Sequence, residues 1–95
     1  MFIVFLKFSN NKSQAGQFMD DHNAWIKSGF DDGVFLMSGS LQPNLGGGVI
    51  AHNVSQTELQ SRIDNDPFVA NDVVRAEIIE FTPAKTDHRL SFLLN

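Results

Sequence analysis

The chain contains no cysteine, which excludes disulfides, thiolate nucleophiles and cysteine-ligated zinc. Positive charge is scarce: seven Lys and Arg against eleven Asp and Glu give a formal charge of −4. The basic residues are scattered from Lys7 to Arg89 without a stripe, so the electrostatic footprint of a nucleic-acid binder is missing. A long apolar run is missing too. The apolar start, MFIVFLKF, is too short to cross a bilayer and lacks the basic start and small-residue cleavage site of a leader. No membrane partner is therefore expected, and the cytoplasm is the expected compartment. No solenoid-length repeat and no low-complexity tract occurs. What is there is 42% apolar residues with both charge signs in 95 residues, the composition of one globular domain. A domain this small hides a smaller share of its surface than a larger one, so association would help it.

Hydrophobic periodicity then orders the chain. Phe2 to Phe8 (FIVFLKF) is rich in aromatic and β-branched residues and ends at Ser9-Asn10-Asn11, which predicts a first strand. From about Ser13 to Ser28 the period is helical: Phe18, His22, Trp25 and Ile26 share one face, while Asp20, Asp21, Asn23 and Lys27 point elsewhere. Gly29 suits the left-handed residue that closes a helix. Asp31-Asp32-Gly33 turns into a second strand, Val34 to Gly39. Gln42 to Gly48 reads as a polar, Gly-rich connection and Val49 to Val54 as a third strand. Ser55-Gln56-Thr57-Glu58 matches a capping box, with Val54 and Leu59 spaced for the accompanying hydrophobic staple. That helix is expected to run to about Asp64 and to stop before Asp66-Pro67, because a residue preceding proline avoids the α region. Val73 to Phe81 (VVRAEIIEF) predicts a fourth strand, and Thr82 to Asn95 has no clear period.

The order β-α-β-β-α-β is that of an α+β, ferredoxin-like domain, an antiparallel sheet with two helices on one face. It creates a burial problem. Strand one is apolar on both sides, with Ile3 and Phe5 alternating with Phe2, Val4, Leu6 and Phe8. In strand four, Val74, Ala76 and Ile78 are placed to meet the helices, leaving Val73, Ile79 and Phe81 on the other face beside Arg75 and Glu77. An open apolar face of several hundred Å² is rare on a soluble monomer. The face is expected to pack against a second copy, sheet on sheet; the alternative is that the C-terminal segment folds back over it.

One residue is out of place on composition. His22 stands among Phe18, Met19, Trp25 and Ile26, either as a satisfied core residue or as a working group kept out of bulk water. Asp20 and Asp21 are too close along the helix to face it. Asp66, in NDPFVAND after the second helix, is better placed, because both helices pack on the same sheet face. A carboxylate there would fix the imidazole tautomer and leave the other ring nitrogen as a base. Equally, Asp66 caps local backbone amides before the proline and does nothing more.

The residues resemble a known family. A start like MFIVFLKF, H-x-x-W (His22 and Trp25) followed by a glycine, D-G-x-F-L-x-S-G (Asp32 to Gly39), a Gly-rich turn into a strand, and DPF (Asp66 to Phe68) shortly before the last strand together look like the YCII family. The resemblance covers residues 1–83, leaving 84–95 as a C-terminal tail. It implies a ferredoxin-like domain that dimerises into an α/β barrel, with an active site built from His22 and Asp66. The family's clearest example is a dehydrochlorinase of a chlorinated hydroxyquinol, and muconolactone isomerases and small monooxygenases share the barrel architecture. Two departures touch the rim of such a pocket: Ser40 follows Ser38-Gly39 where the family often has proline, and VANDVV lacks the glycine usual after DPF. Both bear on substrate identity.

Around that pair, Ser38 is a candidate pocket residue through its hydroxyl, and Trp25 and Phe68 are candidate walls, each with an ordinary core or strand-end role as the alternative. His52 and His88 have no ligand-type spacing, so no metal site is expected. Gly46-Gly47-Gly48 is followed by no helix and no adjacent lysine, which favours a hairpin connection over a phosphate loop. Three functions fit. The first is a small cofactor-independent enzyme of lyase, isomerase or dehydrochlorinase type, in which His22, oriented by Asp66, moves a proton on a carbonyl-bearing or hydroxylated aromatic substrate. The second is a homodimeric accessory module that binds a small ligand without turnover. The third is a structural homo-oligomer. The tail SFLLN either packs on a partner subunit or frays.

Overall fold

The computed structural model describes residues 1–94. Its organising element is β1 (Phe2–Phe8), which pairs antiparallel with β3 (Gly46–Ala51) on one side and with β4 (Val74–Glu80) on the other. The edge strand β2 (Phe35–Leu41) pairs antiparallel with β3, giving the order β2-β3-β1-β4. α1 (Ala15–Asp31), α2 (Gln56–Asp64) and a single turn, α3 (Pro67–Ala70), complete the domain. This is the ferredoxin-like α+β arrangement, with α3 added ahead of β4.

Central position explains the composition of β1. Phe2, Val4 and Leu6 are buried beneath the helices, while Ile3 and Phe5 reach the opposite face. The core joins those three residues to Phe35, Val49, Ala51 and Val74 of the sheet and to Trp25, Leu59, Ile63 and Phe68 of the helices. α2 is polar apart from Leu59 and Ile63, which lie one turn apart and are fully buried, so these two anchor it. Ser55 caps α2, its hydroxyl accepting from the Glu58 amide at 3.1 Å.

Several expectations need correction. Gly29 lies inside α1, not at its end. A Cβ there would overlap the ring of Phe35, so the glycine permits a close helix–strand approach. The left-handed residue is Gly33, with φ at +73°. Gly46, Gly47 and Gly48 are strand rather than connection, paired with Lys7, Leu6 and Phe5. The carbonyl oxygen of Leu6 occupies the space a Cβ on Gly46 would need, so β3 starts three residues early by backbone approach that apolar patterning cannot reveal. Val73 does not face outward. It is fully buried, and its amide bonds to the carbonyl of Phe68 at 2.9 Å.

The open sheet face is apolar, as strand patterning requires. A register shift between Phe35 and Met37 leaves Phe35 in the core and turns Met37 outward opposite Ile50. Met37 is 65% exposed and Ile79 43% exposed. The C-terminal segment forms a 3₁₀ stretch, His88–Leu94, whose Phe92 meets His52 just past the end of β3, ring centroids 5.8 Å apart. It leaves Met37 and Ile79 uncovered and exposes its own Leu90, Phe92 and Leu94. Among the described residues no helix is long and apolar enough to cross a membrane.

Candidate active site

Helical periodicity places His22 and Trp25 on the buried face of α1. The chain then brings a carboxylate to them from the far end of α2. Asp66 takes the extended backbone (φ −61°, ψ 124°) that a following proline demands. Pro67 opens α3, where a missing amide hydrogen costs nothing. Asp66 Oδ1 accepts from the Phe68 amide at 3.0 Å, capping that turn. The same oxygen lies 2.7 Å from His22 Nδ1. The two roles that the sequence left as alternatives for Asp66, cap and histidine partner, therefore coexist in one atom.

A carboxylate only accepts, so the proton between them belongs to Nδ1, and Nε2 is the ring nitrogen left for other work. Asp66 is fully buried, and its Oδ2 has no hydrogen-bond partner. Phe68 holds the imidazole from one side: the two rings are parallel within 4° with centroids 3.9 Å apart. Trp25 stacks more loosely at 5.8 Å. Hydrogen bond and ring contact together fix the imidazole in position and plane.

Beside the pair lies a cavity of about 300 Å³ between α1 and the sheet, lined by His22, Phe68, Ser38, Ser40, Gly47 and apolar side chains such as Met19. His22 is the one titratable group on its lining among the described residues. Ser38 and Phe68 therefore lie where the sequence suggested a pocket. Trp25 does not. It stands behind His22, donates from Nε1 to the Arg62 carbonyl at 2.9 Å and meets Phe35 edge-on. It borders a separate hollow with Arg62 and Glu58, where the Arg62 guanidinium binds Asp32 at 2.6 Å.

Ser40, which the sequence placed at the rim of the presumed pocket, lines the cavity, as do Gly47 and Asn23, which sequence reasoning did not single out. Strand alternation from Ser38 puts Ser40 on the same face, whereas Gly47 needed the β3 register. Sequence reasoning also missed α3, although an aspartate followed by proline is a helix start. His52 and His88 take no part: the first packs on Phe92 and the second lies 3.6 Å from Asp87. No cluster of three or more His, Cys, Asp or Glu suited to a metal ion occurs among the described residues.

A profile of the YCII-related domain matches residues 1–82. The chain belongs to the YCII-related family. Similar solved structures of this fold include the 5-chloro-2-hydroxyhydroquinone dehydrochlorinase of Burkholderia phenoliruptrix AC1100 in complex with 2,5-dihydroxybenzoquinone. The two superpose with a TM-score of 0.69 over 85% of this chain and 93% of that one, at 14% identity. At that identity the similarity speaks to the shared fold. No curated protein sequence matches the chain. In YCII-related terms, the histidine of H-x-x-W and the aspartate of DPF are here in direct hydrogen-bond contact.

Proposed function

We propose that this YCII-related protein is a small cofactor-independent enzyme in which His22 Nε2 transfers a proton on a small organic substrate held in the cavity. The carrying observation is the buried 2.7 Å contact between His22 and Asp66 at the wall of that cavity. Asp66 acts as the positioning group. It holds Nδ1 protonated, leaves Nε2 with a lone pair, and stabilises the imidazolium formed once Nε2 takes a proton. The imidazole arrives already oriented, because Phe68 and Asp66 fix its plane before substrate binds.

The lining has apolar walls, the Ser38 and Ser40 hydroxyls, the Asn23 amide and, besides the His22 imidazole, no ionisable side chain. That chemistry favours a compact ring bearing carbonyl or hydroxyl groups over a phosphorylated or carboxylated substrate, which would need a cationic partner. Proton abstraction next to a carbonyl gives an enolate. The enolate then either expels a leaving group such as chloride, the proton remaining on His22 until solvent removes it, or is reprotonated by His22 at another carbon. The chemistry is of lyase, dehydrochlorinase or isomerase type, and the dehydrochlorinase named above supports the first two. The working form is a homodimer joined through the apolar open face that carries Met37 and Ile79.

The test is a screen of purified protein against chlorinated and unchlorinated hydroxyquinols, following substrate loss and chloride release. His22→Ala is expected to lose roughly 10²–10⁴-fold in rate, measured under conditions where circular dichroism shows the less stable variant still folded. Full activity in that variant sinks the assignment. Ligand-induced shifts of the His22 ring signals without turnover of any compound would instead make the protein an accessory binding module.

A further inference from the structure

The wall where β2 pairs with β3 has no part in the proton transfer described above. In an antiparallel ladder, directly opposed residues lie on the same sheet face. Ser38 opposes Val49 and Ser40 opposes Gly47. Val49 is buried beneath the helices, and Gly47 also opposes the buried Leu6. Both pairs therefore face the helix side, where all four residues line the cavity. The intervening Gly39–Gly48 pair projects to the other face.

A glycine inside a strand weakens it and marks a place where something approaches the backbone closely. Gly46 has such a neighbour within the protein, the Leu6 carbonyl. At Gly47 the approach is looser. A Cβ there would meet only the Gly39 carbonyl oxygen of the adjacent edge strand, at 3.2 Å, and otherwise open space. Beyond that one contact, Gly47 borders the open space of the cavity. Across from it stands a hydroxyl, in a cavity with no charged wall that would bind an anionic group.

We infer that the Ser40–Gly47 pair is the specificity wall of the cavity: Gly47 sets its depth, and the Ser40 hydroxyl reads an oxygen on the end of the ligand remote from His22. This rests on reading the cavity as the substrate site. The ligand class it selects is a neutral ring carrying a hydroxyl or carbonyl at each end, rather than a ring with one polar end and an alkyl tail.

The experiment is an NMR titration of the full chain with phenol, 4-methylphenol, 4-propylphenol and hydroquinone, reading the His22 ring and the backbone amides of β2 and β3. Hydroquinone and 4-methylphenol are near-isosteric, so their difference isolates the remote oxygen. Phenol and 4-propylphenol isolate depth. Ser40→Ala is expected to lose about fivefold of the hydroquinone preference over 4-methylphenol, the worth of one hydrogen bond. Gly47→Val is expected to weaken 4-propylphenol roughly tenfold relative to phenol. Ser40→Val narrows the same wall from the other strand and gives the depth reading if the β3 variant does not fold. Wild-type discrimination retained in Ser40→Ala, Ser40→Val and Gly47→Val, with His22 signals still moving on phenol addition, overturns the inference and leaves the site assignment standing. Failure of all four phenols to perturb His22 in the wild type overturns both.

Discussion

If one carboxylate oxygen of Asp66 both holds His22 and caps α3, a double-mutant cycle separates the two jobs. The perturbations are His22→Ala, Asp66→Ala and the pair together. The His22–Asp66 contact of 2.7 Å is in the range of charge-assisted bonds, each worth roughly 1.5–3 kcal/mol. The cap on the Phe68 amide, at 3.0 Å, adds about 1 kcal/mol. Asp66→Ala removes both and should cost roughly 3 kcal/mol. With a urea slope of about 2 kcal/mol/M, that is a midpoint shift of about 1.5 M. His22→Ala leaves the fully buried carboxylate with one donor and an unstacked Phe68, and a buried charge stripped of its partner is strongly destabilising. The cap is lost equally with either residue at position 22, so it drops out of the cycle and only the pair remains. The expected coupling is therefore roughly 1.5–3 kcal/mol, read from urea unfolding by circular dichroism at neutral pH. A coupling below about 0.5 kcal/mol, the scatter of independent sites, would reduce Asp66 to a cap and refute the orientation argument.

Gly29→Ala sets helix propensity against packing. The propensity gain is about 1 kcal/mol, but the new methyl group overlaps the buried Phe35 ring, and overpacking costs roughly 1–3 kcal/mol; a lower Tm is expected, and a higher one would show that the ring yields freely. Ser55→Ala removes the acceptor for the Glu58 amide and should cost about 1 kcal/mol in chemical denaturation. Introducing glutamate at both Met37 and Ile79 should convert the proposed dimer to monomer in light scattering, and a persistent dimer would place the interface elsewhere. Asp31, hydrogen-bonded to Lys27 one turn away, raises the lysine pKa above its ordinary 10.5. The contribution of that pair is intact at neutral pH and fades only as pH climbs through the raised value, so Asp31→Asn should return the Lys27 NMR titration to the ordinary range.

Legibility in the sequence followed from how local each cause is. β1 was visible because its run of aromatic and β-branched residues is a pattern within one segment, and Ser55 with Glu58 marked α2 because capping is settled within four residues. The candidate pair His22 and Asp66 was legible as a possibility, since both helices share a sheet face, but its partnership needed the turn at Pro67 to aim the carboxylate. What failed was set by distant neighbours. Gly29 looked like a helix end because its reason for being small is Phe35. Gly46 to Gly48 looked like a loop because their strand pairing is dictated by β1, about forty residues away in the chain. Val73 was assigned by alternation, yet its burial follows from a hydrogen bond to α3, an element that alternation does not see. Gly47 reaches the cavity through a register that no local rule supplies.

The segment Asp66-Pro67-Phe68 concentrates the carboxylate, the backbone donor that shares its oxygen and the aromatic plate under the imidazole within three consecutive residues. Loosening that corner would withdraw all of them at once. Competence of the histidine is thereby tied to the integrity of a single helical turn, and disturbance there acts as an all-or-none break rather than a gradual decline. A substitution at Pro67, which touches no reactant, belongs with the most damaging changes to activity.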